Sequence, residues 1–133
     1  MSEGVMSRLL ATKLRPPTLQ PNRVARPHLA RRLNEGLASA RHITLVSAPA
    51  GFGKTTCAAD WARSLEGWSV AWLSLDPSDD DPRRFFAYLV AALQQVDPRL
   101  GRDVQAVLQS GPPPPGEVVT AILADDLQAW DGR

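Results

Sequence analysis

The chain has 133 residues, which is enough for one small domain with its own hydrophobic core. Its composition, 44% hydrophobic and 22% charged, is ordinary for a globular protein. The single cysteine excludes an intramolecular disulfide, and no apolar run is long enough to cross a membrane. The N-terminus also lacks the pattern of a secretory signal, so we expect a cytoplasmic protein without a membrane partner.

The charge is unevenly distributed, although the net charge is only +1. Residues 1–41 carry eight Lys/Arg and two acids, a net +6, whereas residues 42–133 carry a net −5. A basic arm of this kind can contact nucleic acid or nucleotide phosphates. Aromatic residues are absent from it, which favours the alternative of a solvated arm.

Residues 1–27 are rich in proline and are predicted to form an extended basic arm, because closely spaced prolines disfavour a helix. Pro27 is suited to the first position of a helix. Leu29, Leu33 and Leu37 then recur at four-residue spacing and predict an amphipathic helix that ends near Ala40.

The segment 47–56, with the sequence Ser-Ala-Pro-Ala-Gly-Phe-Gly-Lys-Thr-Thr, is the most informative motif. It follows an apolar run at 43–47 that predicts a buried strand, and it precedes a predicted helix at 54–65. A strand, a glycine loop, Lys-Thr and a helix in this order are typical of the Walker A loop that binds nucleotide phosphates. Ala48 stands where the usual pattern has glycine, but it is also small.

Each residue type in this motif has a physical role. Glycines allow backbone N–H groups to turn toward an anion, and the helix N-terminus adds its positive dipole end. Lys54 can reach the β- and γ-phosphates, and the Thr55 hydroxyl can bind Mg²⁺. The alternative is a glycine-rich turn before a helix that happens to begin with lysine. The predicted nucleotide-binding residues of the loop are Ala48, Pro49, Ala50, Gly51, Phe52, Gly53, Lys54, Thr55 and Thr56.

The second half of the chain predicts one more strand and three helices. Residues 70–75 form an apolar strand that ends at Asp76 and leads into an acidic loop. Asp81-Pro82 is a good helix start, and a stripe of apolar residues follows: Phe85, Phe86, Leu89, Leu93 and Val96. A shorter helix is expected at 100–109, then a proline-rich connector at 111–116 and a last helix at 117–130.

In this order, these segments resemble the N-terminal part of the large ATP-binding LuxR-type (MalT-like) STAND transcription regulators. The resemblance implies an α/β fold, a partial P-loop NTPase of the ASCE/STAND type with three layers. Residues 28–133 would form an incomplete nucleotide-binding domain after the 1–27 arm. The segments that carry the resemblance are 9–17, 24–33, 45–56, 70–76 and 81–85.

The resemblance also implies a function. Family members bind ATP or ADP with Mg²⁺, self-associate in the ATP state and bind DNA through a C-terminal helix-turn-helix. Carried over by position, Val24, Arg26 and Pro27 would lie near the adenine, and Thr56 would lie near the α-phosphate. ATP would act as a switch ligand of a transcription regulator.

The chain departs from the family pattern at its end. Family members continue, soon after the position of Trp130, with the Walker B strand, which supplies an acidic residue for Mg²⁺. We therefore expect a fold truncated before that strand, exposed apolar strand faces, marginal stability and little or no hydrolysis by this chain. Asp125 and Asp126 could substitute for the acid, but they fall within a helical pattern.

Two other classes of function stay open. The first is a small P-loop kinase or phosphotransferase, for which Asp76 is the candidate acid at a strand end. The second is an inactive interaction fragment of a truncated gene.

Overall fold

The computed structural model describes residues 11–18, 21–22, 24–39, 44–49, 51, 53–112 and 114–132. The chain divides into two compact units. Residues 17–68 form one, here named the loop unit, and residues 1–16 and 69–133 together form the other, the helical unit. The expected division into an arm of residues 1–27 and a domain of residues 28–133 stays a prediction.

Helices dominate the described residues, and each overlaps a segment that was predicted to be helical. They are α1 (Pro27–Ala38), α2 (Lys54–Ser64), α3 (Pro82–Val96), α4 (Arg102–Gln109) and α5 (Gly116–Ala129). Two 3-10 turns accompany them, the first at Ala11–Leu14 and the second at Pro77–Asp80. The first turn lies within the arm that was expected to be extended. None of the described helices is long and apolar enough to cross a membrane.

The predicted α/β three-layer P-loop fold is wrong, because the described residues contain no β-strand and no sheet. The segments expected to be strands, 44–47 and 70–75, carry no strand ladder, and Ile43 lies outside the described residues. A strand must exchange hydrogen bonds with a neighbouring strand. The N–H of Ser74 instead donates to the carbonyl of Lys13 in the first turn, at 2.9 Å.

The two segments expose several of their apolar side chains, although neither forms a strand. Leu45 is 86% exposed and Leu75 is 59% exposed, and Val46 and Val70 are also exposed. Burial of such side chains would contribute roughly 1.5–3 kcal/mol each, and that contribution is largely missing here. The exposed side chains of these segments therefore contribute little to the stability of either unit.

The core of the helical unit is formed by five aliphatic side chains from α3, α4 and α5: Val90, Val104, Leu108, Val119 and Leu123. The stripe predicted for α3 is only partly correct. Phe86, Leu89 and Leu93 are partly buried against this core, whereas the most buried residues of α3 include Tyr88 and Val90. The difference arises because α3 contacts both 3-10 turns as well as α4.

Local capping signals explain where α3 and α4 begin. The Asp81 carboxylate accepts a hydrogen bond from the N–H of Arg83 at 3.1 Å, and Pro82 follows it. Gly101 begins α4 with a φ of +73°. A Cβ at Gly101 would lie 3.0 Å from Val90 Cγ1, so glycine is required by both conformation and space.

In the loop unit, α1 packs against α2. Leu33 of α1 and Ala59 of α2 are buried, and Trp61 Nε1 of α2 donates to Asn34 Oδ1 of α1 at 2.8 Å. The spacing of the leucines on α1 thus correctly predicted its buried face. This helix pair supports the glycine loop, which leads into α2.

Candidate functional site

The glycine loop enters α2 through two residues with positive φ. Gly51 has a φ of +89° and Gly53 a φ of +76°, conformations that only glycine adopts at little cost. Among the described residues, no atom lies within 4 Å of a Cβ built on Gly51. Ala50 and Phe52 lie outside the described residues. The loop therefore has the backbone freedom that close approach to a ligand requires.

The N-terminus of α2 is positioned for an anion. Gly53 is the N-cap residue and has no side chain with which to cap the helix. Cys57 N–H donates to the Gly53 carbonyl at 2.9 Å and so begins the helical hydrogen bonding. The N–H groups of residues 54–56 precede it and have no acceptor within the helix. Three backbone donors and the positive end of the helix dipole therefore coincide at this point.

Two cationic side chains accompany these donors. The Lys54 ammonium is half-buried and donates to the carbonyl of Ala48, across the loop. Arg26 Nη2 lies 3.8 Å from the position of a Cβ on Gly53. Both cations belong to the loop unit. This set of donors, two cations and helix N–H groups, fits the chemistry of a polyphosphate.

The threonines of the predicted site lie in the first turn of α2. Thr55 and Thr56 are both exposed. The described residues contain no group of three or more His, Cys, Asp or Glu placed to hold a metal ion. Mg²⁺ in nucleotide sites takes phosphate and water oxygens besides a few protein ligands. A single hydroxyl from Thr55 is compatible with that preference.

The segment predicted to lie near the adenine leads into α1. Val24 is 79% exposed, and Pro27 is the first residue of α1. Of these residues, Arg26 has its side chain near Gly53 of the loop. The structure thus brings Arg26 together with Gly53, but the contact involves the guanidinium rather than a surface for a base.

Sequence reasoning missed a cluster of charged residues in the helical unit. Lys13 of the first turn is only 7% exposed and forms ion pairs with Asp76, at 2.9 Å, and with Asp79. Arg84 Nε of α3 lies 3.2 Å from Asp79 Oδ1. The acidic run at 76–81 was a visible signal, but its buried cation lies more than 60 residues earlier.

The same contacts set the pKa values of this cluster. Hydrogen bonds from Ser78 and Lys13 lower the pKa of Asp76 to about 2. The hydrogen bond from Lys13 likewise lowers the pKa of Asp79. Burial acts to lower the pKa of Lys13, but hydrogen bonds from its ammonium to Asp79 and Asp76 outweigh burial and raise it.

Two of the acids considered for catalysis, Asp76 and Asp126, have structural partners. Asp76 caps the second turn, where its carboxylate accepts from the Ser78 N–H at 2.8 Å. Asp125 and Asp126 lie within α5, and Asp126 Oδ2 accepts from the N–H of Gly101 at 3.0 Å. Asp126 therefore fastens α5 to the start of α4.

Comparison with known proteins gives several relatives. The HTH-type transcriptional regulator MalT of Yersinia enterocolitica is 38% identical over 124 residues, which cover 93% of this chain. MalT of Serratia proteamaculans is 45% identical over 86 residues, or 65% of the chain. The serine/threonine-protein kinase PknK of Mycobacterium tuberculosis is 34% identical over 125 residues, or 92% of the chain.

The chain is related to the MalT-like transcriptional regulators. The resemblance to their N-terminal part, drawn from the glycine loop and its flanking segments, is thereby confirmed. This MalT-like chain spans only 13% of the Yersinia regulator and 11% of the kinase. No family model and no solved structure matches the chain.

Proposed function

We propose that this MalT-like segment binds the phosphates of ATP or ADP at residues 48–56, and that the nucleotide is a switch ligand of a larger transcription regulator. The observation that carries the proposal is the start of α2. There Gly53, in the left-handed conformation, is followed at once by Lys54, whose ammonium already lies across the loop. Anion binding would replace a neutral acceptor, the Ala48 carbonyl, by a charged phosphate oxygen.

Within this proposal, each residue of the loop has a role. The N–H groups of residues 54–56 and the ammonium of Lys54 hold the phosphates, and the hydroxyl of Thr55 binds Mg²⁺. Arg26, which lies near Gly53, supplies a second cation. Val24 and Pro27 provide the flanking surface on the same segment. The proposal assigns no catalytic residue to this chain, so ATP is bound rather than consumed.

The pair of relatives supports a regulatory role for the shared segment. One relative is named a transcriptional regulator and another a protein kinase, yet both match nearly all of this chain. A segment shared by a transcriptional regulator and a protein kinase should have a function that is useful to each of them. Nucleotide-dependent control is such a function. We further propose that the whole protein binds DNA and self-associates when ATP is bound, as the MalT-like resemblance implies.

A phosphotransferase is the weaker candidate. It needs a carboxylate beside the reacting phosphate. Asp76, the acid considered for this role, belongs to the helical unit and is engaged by Lys13 and Ser78. Its structural contacts account for its position, and no further observation favours phosphate transfer.

The decisive experiment is a titration of the 133-residue chain with a fluorescent ATP analogue, followed by fluorescence anisotropy. We expect the substitution Lys54→Ala to weaken binding by roughly tenfold or more, because it removes a charge-assisted hydrogen bond. Arg31→Ala is the matched control, since it removes one exposed cation from the same unit. Equal binding by wild type and Lys54→Ala would refute the assignment.

A second titration tests the metal ligand. Thr55→Val keeps the shape of the side chain but lacks the hydroxyl oxygen. We expect this variant to bind the analogue in EDTA as wild type does, and to lose the gain in affinity that Mg²⁺ gives wild type. An undiminished gain from Mg²⁺ in Thr55→Val would exclude Thr55 as a ligand.

A further inference from the structure

The first turn is fastened to residues far along the chain by one side chain. Lys13 Nζ donates to Asp76 Oδ2 at 2.9 Å and to Asp79 Oδ2, across 63 and 66 residues of sequence. The Asp79 side chain is 1% exposed. A backbone hydrogen bond adds to these contacts, since the Ser74 N–H donates to the Lys13 carbonyl. Lys13 thus takes part in both the side-chain and the backbone hydrogen bonds that are described between the first turn and residues 74–79.

An aromatic ring lies beneath this cation. Tyr88 of α3 is fully buried, and Lys13 Nζ lies 4.6 Å from the centre of its ring. The Arg84 guanidinium lies 5.4 Å from the same ring and also pairs with Asp79. The cations over the ring and the carboxylates beside them compensate one another, which permits their burial. The first turn therefore helps to cover Tyr88.

Lys13 is the one buried residue among the four described residues of the first turn. Ala11 and Thr12 are exposed, and Leu14 is only half-buried. The hydrophobic core of the helical unit contains no residue of this turn. The net gain from a buried ion pair is small, because desolvation offsets most of the attraction. Attachment through Lys13 is therefore more easily released than attachment of α4 or α5 through the core.

The contacts of Lys13 with Asp76 and Asp79 connect segments on either side of the loop unit in the sequence. The first turn precedes the loop unit, residues 17–68, whereas Asp76 and Asp79 follow it. Both ends of the loop unit thus continue into segments that Lys13 joins. Release of Lys13 would break the link between the described segments that precede and follow the loop unit.

We propose that residues 11–14 form a strap that Lys13 latches onto Asp76 and Asp79, and that this strap opens as a separate element while the three-helix core stays folded. The closed state covers Tyr88 and joins the segments that precede and follow the loop unit. The open state uncovers Tyr88 and breaks the link between the segments that precede and follow the loop unit. This inference does not depend on nucleotide binding.

Native-state hydrogen exchange of the wild-type chain tests the strap directly. The Ser74 N–H reports the strap, because it donates to Lys13, and the N–H of the buried residue Leu123, in the middle of α5, reports the core. We expect the Ser74 amide to exchange at least about tenfold faster than the Leu123 amide, after correction for intrinsic rates. Equal protection of the two amides would mean that strap and core open together, which overturns the proposal.

The single tyrosine of the chain provides a second readout. Incorporation of 3-fluorotyrosine gives one ¹⁹F resonance, from Tyr88. In Lys13→Met we expect this resonance to move toward its solvent-exposed position and Ser74 exchange to accelerate about tenfold, while the Leu123 amide keeps its protection. Asp79→Asn should act in the same direction, and Arg102→Met, which removes an exposed cation of α4, should not. An unchanged Tyr88 resonance in both latch variants would overturn the proposal.

Discussion

The Arg26 guanidinium lies 3.8 Å from the point where a Cβ on Gly53 would stand. Arg26 immediately precedes α1, and Gly53 immediately precedes α2, so this proximity joins the starts of two helices of the loop unit. A distance of 3.8 Å is ordinary van der Waals separation, so an added methyl group would not collide with the guanidinium. The requirement for glycine at position 53 is therefore set by backbone conformation.

Substitution of Gly53 separates conformational strain from ligand binding. Gly53→Ala places an L-residue at a φ of +76°, and Gly67→Ala does the same at +72°, beyond the C-terminal end of α2. We expect each to lower the free energy of unfolding by about 1–2 kcal/mol, measured by urea denaturation. Only Gly53→Ala should also weaken binding of the ATP analogue. Comparable weakening by Gly67→Ala would show that general destabilisation causes the loss.

Substitution of Arg26 distinguishes a phosphate contact from a base contact. The Arg26 guanidinium lies at the start of α2. We therefore expect Arg26→Ala to weaken the ability of pyrophosphate to displace the ATP analogue by roughly tenfold. The ability of adenosine to displace the ATP analogue should change little. Arg31→Ala serves again as the control for net charge. If adenosine competition is lost while pyrophosphate competition is kept, Arg26 contacts the base, as the family resemblance implies.

The helical unit depends on the buried face of α5. Leu123 is 7% exposed and belongs to the core, whereas Leu127, one turn later, is 45% exposed. We expect Leu123→Ala to lower the free energy of unfolding by about 2–5 kcal/mol and Leu127→Ala by less than about 0.5 kcal/mol. Denaturant titrations followed by tryptophan fluorescence measure both. Equal losses would show that α5 is packed by a different face.

Acid should release the strap. The folded-state pKa of Asp76 is about 2, below its ordinary value of 3.8, so the stability that this carboxylate contributes is fully present above about pH 4. It is lost as the pH falls from about 4 to about 2, and the lowered pKa of Asp79 acts in the same direction. We expect protection of the Ser74 amide to fall over this range. The titration of the Asp76 carboxyl carbon measures the pKa itself.

A matched pair of variants checks the source of this acid sensitivity. Asp76→Asn cannot lose a charge at this position, so its strap should depend less on pH than that of wild type. Asp125→Asn removes an exposed acid from α5 and should leave the pH dependence of Ser74 protection unchanged. Identical pH profiles for wild type and Asp76→Asn would assign the effect to other groups.

Local features of the sequence determined the helices and the motif. The leucine spacing on α1, the Asp81-Pro82 start of α3 and the order of Gly53 and Lys54 depend on residues within one or two helical turns. Their physical causes, helical periodicity, capping and the conformational freedom of glycine, act over those short distances. The resemblance to MalT-like regulators was drawn from the glycine loop and its flanking segments, so it was visible in the residues themselves.

Tertiary structure decided the rest. Residues 44–47 and 70–75 have the composition of strands, but a strand exists only when another segment accepts its hydrogen bonds, and composition cannot supply that partner. The N–H of Ser74 donates to the Lys13 carbonyl, and the ammonium of Lys13 donates to Asp79, 66 residues away. Such pairings depend on how the whole chain packs, so no local pattern predicted either the missing sheet or the buried ion pairs.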